Sequence, residues 1–498
     1  MNSTNLQPLV QDSFNMFHEY DAHKDAEDLI GTCSSADLNA GFLLLPSGMP
    51  SFVQDEMAVI KVKDVDFGTT KKPFIRKVSH YHIHGKVKHA YEGELYCPCC
   101  NSKLVDNGTT DIELNHTPYD GGHCSLIVKR QRMICSNPEC HYNWTEPLAF
   151  KDPDHRITTS LNNMVCDLLT FGYTLKEISL LTGLHKCTVK AIDKKRLQDK
   201  YTIDGKELKK PTEFSEYLGI DEFLLHKGHK YATIIIDLKT GHVLNLYHGK
   251  KKQCVYDFVD WVGIDWMKHV KAIACDMNTD YAEGFMEKCP WMRVVYDHFH
   301  LIKNFNDKVI AEIRKDIQAQ LIAEGRIEDA KSLKHTKYVL MTTAETRKKK
   351  EKDAKKGRIL SKGNKLFNKP EVKQKAGIQD EYEKLISENE LLFVADLVKD
   401  QLDKAYKTKS ERGMKIHINR IIRNCRATEN KHFLWFANLL ESHYDGIISH
   451  AKMPISSGKV EGTNQMIKTL RRKSYGYPDD EYFFLKIMDS SRRFSEMS

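Results

Sequence analysis

Apolar and polar positions change period along this chain, and the changes mark its parts. From about residue 213 apolar residues come in short runs bounded by turn signals. Tyr217–Leu225 reads as a strand, Tyr231–Asp237 is almost continuously apolar, and His242–Tyr247 follows across the turn Lys239-Thr-Gly241. Val255 to about Met267 then repeats at helical spacing, with Tyr256, Phe258, Trp261 and Trp266 along it. A strand over 270–275, a helix over 280–288 and a strand over Arg293–His298 complete the series. Between about 303 and 450 the chain turns helical and charged, as in Asn304–Glu324 and Glu381–Tyr406.

Three antiparallel strands followed by alternating helix and strand is the order of an α/β RNase H-like core. The helical stretch is then an α-helical insertion that splits it. The expected organisation is a first core part over 210–305, the insertion over 306–450, and a closing helix and C-terminus over 451–498. Upstream, Thr174 is a suitable N-cap for Leu175–Thr182, Gly183 supplies a turn, and Lys186–Arg196 forms a second helix. Small Ser179 falls where two helices approach, and Val189 and Ile192 fall on a buried side. This predicts a helix-turn-helix domain over 151–205. Residues 71–150 read as a zinc ribbon, and 1–70 are given no role.

At 498 residues, 41% hydrophobic and 29% charged, the chain has an ordinary globular composition and length for about three domains. No apolar run approaches the roughly 18 residues of a membrane span, and no secretory signal is evident. The expectation is a cytoplasmic protein with no membrane partner. Charge is uneven. Residues 347–375 hold 13 Lys/Arg against 3 Asp/Glu, a local net of +10, so the overall +8 leaves about −2 elsewhere. A concentrated basic segment suits an anionic polymer. Cys33, Cys166, Cys187, Cys254, Cys275, Cys289 and Cys425 are scattered singly, as reduced thiols are.

Other cysteines are paired. Cys97-Pro-Cys-Cys100 and Cys135-Ser-Asn-Pro-Glu-Cys140 make two turns separated by strand-like Ser125–Arg130. Thiolates of Cys97, Cys100, Cys135 and Cys140 suit one structural Zn²⁺, with all four positions filled and none open for catalysis. Cys99, Cys124 and the alternating His80, His82 and His84 are rival ligands. In the helix-turn-helix, Lys186, Thr188 and Lys190 are expected to face a DNA groove or phosphates.

Three acids stand in suggestive settings. Asp221 lies in the middle of the first core strand, Asp276 at the end of the fourth, and Glu461 opens the basic helix Glu461–Arg472. Carboxylates converging on two Mg²⁺ (or Mn²⁺) ions about 3.5–4 Å apart are what phosphodiester chemistry needs. On the closing helix, Val460, Thr463, Ile467 and Leu470 share a core face. Glu461, Asn464, Lys468, Arg471 and Arg472 form an adjacent polar stripe, the acid for metal and the others for DNA. Glu222 points to the opposite strand face. Asp297, His298 and His300 are expected in supporting roles at a strand end.

The sequence resembles bacterial insertion-sequence DDE transposases of the ISL3 type over roughly residues 90–490. The resemblance is carried by Gly219-Ile-Asp-Glu222, Cys275-Asp-Met277 with Tyr281, Asp297-His-Phe-His300, Ser457-Gly-Lys-Val-Glu-Gly-Thr-Asn464, Ile467-Lys468 and Gly476-Tyr477. It implies a zinc finger on Cys97, Cys100, Cys135 and Cys140, and an acidic triad on Asp221, Asp276 and Glu461. It further implies double-stranded DNA with terminal inverted repeats as substrate, cleavage at the transposon ends, joining by 3′-hydroxyl attack, and dimers on paired ends. The chain departs from the family pattern at Ser457, where Asn is usual, in the wide Cys135–Cys140 spacing, and in its longer N-terminus and basic run. The alternatives are a nuclease or resolvase of the same fold that cuts without joining, and a DNA-binding regulator without catalysis.

Overall fold

The computed structural model describes residues 31–33, 52–68, 72–87 and 93–492, with 278, 335 and 475 excepted. Most of 1–70 therefore lies outside the described residues. The chain divides into two compact units, Met1–Lys209 with Arg471–Leu485, and Lys210–Leu470 with Lys486–Ser498.

In the first unit, strands β1 (Gly31–Cys33), β2 (Phe52–Asp66), β3 (Ile75–Val87), β4 (Leu104–Tyr119), β5 (Gly122–Cys135) and β6 (Asn143–Thr145) form one sheet. Its order is β1-β2-β3-β5-β4, with β6 paired to β5. The sheet is larger than a zinc ribbon. β2 falls within the segment given no role from sequence, yet it pairs along its length with β3. Two-residue alternation sorts β3 cleanly. Tyr81, Ile83 and Val87 are buried against Leu114, Leu126, Val128, Leu148 and Phe150, while His80, His82 and His84 are half-buried on the other face.

Three helices follow, Thr159–Phe171, Leu175–Thr182 and Lys186–Tyr201. Thr174 and Glu177 close a reciprocal capping box on the middle helix. Gly183 ends that helix at φ 74°, a left-handed conformation. A β-carbon there would also lie 2.8 Å from the His123 ring of β5. Ser179 Oγ donates to the Leu184 carbonyl at 2.7 Å, which tightens the turn. Leu161, Val165, Leu169, Ile178, Leu184, Val189 and Ile192 make the small core. The last helix runs five residues past the expected Arg196. A short hairpin of β7 (Thr202–Ile203) and β8 (Glu207–Leu208) comes next.

The second unit is built on β9 (Tyr217–His226), β10 (Lys230–Asp237), β11 (Val243–His248), β12 (Ala272–Cys275) and β13 (Arg293–Tyr296), in the order β11-β10-β9-β12-β13. The first three are antiparallel, and β12 runs parallel to β9 and β13. The expected helix over 255–267 is broken at Gly263, φ 92°, into Lys252–Val262 and Ile264–Met267. The strand expected over Arg293–His298 stops at Tyr296, because Asp297 caps the helix His298–Phe305. Edge strand β11 is covered at Val243, whose N–H donates to Ser491 Oγ and whose carbonyl accepts from Arg492, both at 3.0 Å.

The long helices of the inserted segment include Ala311–Ala323, Glu390–Lys407, Glu411–Ala427 and Lys431–Ser442. They share one hydrophobic core with the sheet, in which Phe305, Phe433 and Phe436 join Phe258, Ile273 and Phe285. The basic run forms helix Ala344–Lys355 and a small hairpin of Ile359–Ser361 with Val372–Lys373. Its first residue, Arg347, is structural: it is buried against the Tyr382 ring and donates to the Thr342 carbonyl.

Gly219 sets where the closing helix, Gly458–Lys473, meets the sheet. A β-carbon at Gly219 would lie 2.5 Å from Val460 Cγ2 and 2.8 Å from Leu238 Cδ2. Gly219→Ala is expected to destabilise the protein by roughly 1–3 kcal/mol through this overpacking, read by urea denaturation. An unchanged midpoint would show that the helix does not bear on the strand.

Candidate functional site

Strand pairing carries two of the three acids to one place. The last paired position between β9 and β12 is Gly219 opposite Ala274, and Asp221 and Asp276 each lie two residues further on. Burial pushes the Asp221 carboxyl up to about 6. The Glu222 N–H, bonded to Asp221 Oδ1 at 2.9 Å, and the nearby His300 oppose the rise, whereas the charges of Glu222 and Asp276 add to it. Asp276 Oδ1 accepts from Met277 N–H at 2.6 Å and lies 3.4 Å from His300 Nδ1. Of the residues expected to support the site, His300 thus touches an acid directly.

The closing helix presents Val460, Thr463 and Ile467 inward, as its spacing predicts, with Leu470 half-buried. Asn464 was expected to contact DNA, but its Nδ2 donates to Asp221 Oδ2 at 2.8 Å. Its Oδ1 is buried and has no hydrogen-bond partner among the described residues. Nothing in local periodicity signals this pairing across 243 positions. Glu461 lies one turn earlier with an exposed side chain. The three acids are not closed around a point: among the described residues, the sets of three or more ligand atoms within 4.8 Å of one another are Cys97/Cys100/Cys135/Cys140 and His80/His82/Glu113. The carboxylates of Asp221 and Asp276 offer oxygen ligands, which suits a hard divalent cation.

Asp297 follows the end of β13 next to Asp276, its N–H donating to the Cys275 carbonyl at 3.3 Å, but its carboxylate is engaged elsewhere. Its Oδ1 accepts from Phe299 N–H at 2.7 Å, and its Oδ2 accepts from Ser457 N–H at 2.8 Å and from Ser457 Oγ. One oxygen of this buried carboxylate caps the helix His298–Phe305 and the other holds the start of the closing helix. His298 packs its ring on Tyr406, 4.2 Å between centroids, away from the acids' hydrogen bonds.

The four cysteines come together as expected. Cys97 and Cys140 sulfurs are 3.5 Å apart and those of Cys100 and Cys135 are 3.4 Å apart. Backbone N–H groups of Cys99 and Asn137 point at the Cys97 and Cys135 sulfurs, each at 3.4 Å. Hydrogen bonds from Ser102 hold the Cys100 thiol down at about 6. This set can hold one tetrahedral metal ion. The rival Cys99 is exposed, and Cys124 is buried in the sheet core.

On the helix Lys186–Tyr201, Lys186 is exposed and Thr188 half-buried. Lys190 and Lys194 both pair to Asp479, at 3.2 and 3.3 Å. Beside them Tyr482 donates to buried Asp193 at 2.6 Å, and Arg196 closes on the same carboxylate. Arg471 is also less available than its place in the stripe suggests, because it lies over the Phe483 ring and is half-buried. Lys468 and Arg472 are exposed as expected.

The family described as "Transposase", of the ISL3 type, matches residues 218–487, just over half of the chain. The transposase for insertion sequence element IS1001 of Bordetella parapertussis is 28% identical over 79% of this chain and 88% of its own length. The transposase for IS1557 of Mycobacterium tuberculosis (strain CDC 1551 / Oshkosh) is 23% identical over 52% of this chain and 56% of its own. Among solved structures, the Drosophila P element transposase strand transfer complex aligns with a TM-score of 0.33 and 10% identity, covering 67% of this chain and 91% of that one.

The raised Asp221 carboxyl has a measurable cost. The folded state holds this proton more tightly than the unfolded state does. The penalty is therefore present above about pH 6, shrinks as pH falls through 6, and vanishes below the ordinary value of 3.8. A rise of about two units is roughly 3 kcal/mol, and the amide loses about one hydrogen bond worth ~1 kcal/mol. In chelator, Asp221→Asn is expected to be about 2 kcal/mol more stable than the parent at pH 8, and no more stable at pH 4. Denaturant melts at the two pH values check this, and a variant less stable at pH 8 overturns the assignment.

Proposed function

This chain belongs to the insertion-sequence transposases of the ISL3 type, and we propose that it binds terminal inverted repeats of a DNA element, cuts there and joins the 3′-hydroxyl ends to a target. The single observation that carries this reading is the meeting of Asp221 and Asp276 on neighbouring parallel strands, under a helix whose Asn464 bonds Asp221. The strand order supports an RNase H-like core interrupted by an insertion.

Asp221, Asp276 and Glu461 are the proposed catalytic triad and the residues that would hold Mg²⁺ or Mn²⁺. That metal would supply activation of the attacking oxygen and stabilisation of the leaving one. Closure needs Glu461 to turn inward from its exposed position, and an exposed carboxylate one turn from Asn464 has that freedom. Asn464 orients the Asp221 carboxylate through one oxygen. His300 holds Asp276. Lys468 and Arg472 follow Glu461 along the helix and grip phosphates. Zn²⁺ on Cys97, Cys100, Cys135 and Cys140 would have a structural role, since four sulfurs leave no open position. Lys186 and Thr188 at the start of the long helix are the proposed groove contacts. The protein is proposed to act as a homodimer on paired ends in the bacterial cytoplasm. None of the described helices is long and apolar enough to cross a membrane.

The test uses Mg²⁺, labelled DNA carrying candidate terminal repeats, and a target plasmid. Joined products are expected, with Asp221→Ala, Asp276→Ala and Glu461→Ala each lowering joining by at least about 100-fold. Cleavage without joining would favour a nuclease. Binding alone, unchanged by Asp276→Ala, would favour a regulator.

A further inference from the structure

A second cluster of ligand atoms is distinct from the four cysteines. His80 and His82 stand two residues apart on β3, so their side chains leave the same sheet face, the one opposite Tyr81 and Ile83. β5 lies next to β3, with His80 opposite His123 and His82 opposite Ser125. β4 lies beyond β5, and there Glu113 is paired with Ile127 and Asn115 with Ser125. Histidine and glutamate therefore reach toward each other from two strands that are not themselves paired, across the middle strand.

The residue they reach across is small. Strands spaced at about 4.8 Å put β3 and β4 nearly 10 Å apart, a gap that two long side chains can close only if the side chain between them leaves room. Ser125 does. Its Oγ lies 3.2 Å from His80 Nε2, and His82 Nε2 is 3.6 Å from Glu113 Oε1. The His80 and His82 rings are 5.3 Å apart, edge to face. One donor atom from each of His80, His82 and Glu113 lies within 4.8 Å of the others. Around a tetrahedral ion with ligand bonds near 2.0–2.1 Å, donors stand about 3.3 Å apart. Small rotations of the two half-buried imidazoles and the exposed carboxylate cover that difference.

We propose that His80, His82 and Glu113 form a second zinc site, with two imidazoles, one carboxylate and a fourth position open to solvent. The donor set selects a borderline divalent ion and not magnesium, which prefers oxygen throughout. The site is chemically unlike the four-thiolate cluster. Three protein ligands with an exposed carboxylate make a weaker and more exchangeable site than four sulfurs. It shares its sheet face with His123, whose Nε2 lies 3.0 Å from the Leu180 carbonyl of the helix-turn-helix.

The two sites have different optical signatures, which makes the test direct. The tag-free full-length protein is stripped of metal and titrated with Co²⁺, and zinc content is measured separately by mass spectrometry after reloading. Thiolate ligands give an intense sulfur-to-cobalt charge-transfer band, whereas imidazole and carboxylate give only weak visible bands. The expected result is two equivalents of metal, the first with charge transfer and the second without. The double variant His80→Ala/His82→Ala should bind one equivalent and keep the full charge-transfer band. Glu113→Gln, at an exposed position that does not bear on folding, should weaken the second site at least tenfold. The proposal is overturned if the parent binds one equivalent with full charge transfer, or if neither variant changes the second binding step. One equivalent without charge transfer would instead sink the cysteine reading and leave this one standing.

Discussion

The helix that carries Glu461 lies against the strand that carries Asp221 because Gly219 has no side chain. Val460 fills the space where a β-carbon would stand. Packing at interior density leaves such a contact almost no slack. Residues separated by some 240 positions are brought to one place by it, and the Asn464–Asp221 hydrogen bond is possible only at that separation. Asp221 itself occupies a half-closed position where burial disfavours its charge.

Much of this arrangement is legible in the chain. The apolar runs of β9, β10 and β12 have the length and turn punctuation of strands, and Thr174 with Glu177 announces a helix start. The cysteine turns carry their own geometry. Each of these signals is local, since period, cap and turn are settled within a few residues. The departures at side-chain partners are long-range, and those at element ends are local. Lys190 looks like a groove-facing cation until Asp479, almost 290 residues later, is found beside it. Asn464 looks like one more polar residue in a stripe. Asp297 has the pattern of a strand end, yet the helix it caps begins at the next residue. The pairing of β2 with β3 escaped because β2 carries Lys, Asp and Gln through a long edge region of the sheet, which blurs its alternation.

The inserted helices are not an appendage. Their apolar faces complete the core under β12 and β13, so the sheet on that side is covered by chain that interrupts it. The basic hairpin and its preceding helix are different in kind. Apart from Arg347 and a few half-buried neighbours, their cations are exposed, and they add charge without adding core. One segment thus serves both stability and attraction for a polyanion, with the two tasks on separate stretches.

Asp297 and Ser457 give the insertion a stem. The helix leading into it begins on one carboxylate oxygen, and the residue before the closing helix returns to the other, 160 positions later. In topological terms the insertion is a loop closed at its neck by hydrogen bonds. Closure entropy grows only with the logarithm of loop length, so residues gained or lost toward the tip scarcely alter the cost of tying that neck. Changes of length or charge at the tip therefore leave the register between the two halves of the core to the neck alone.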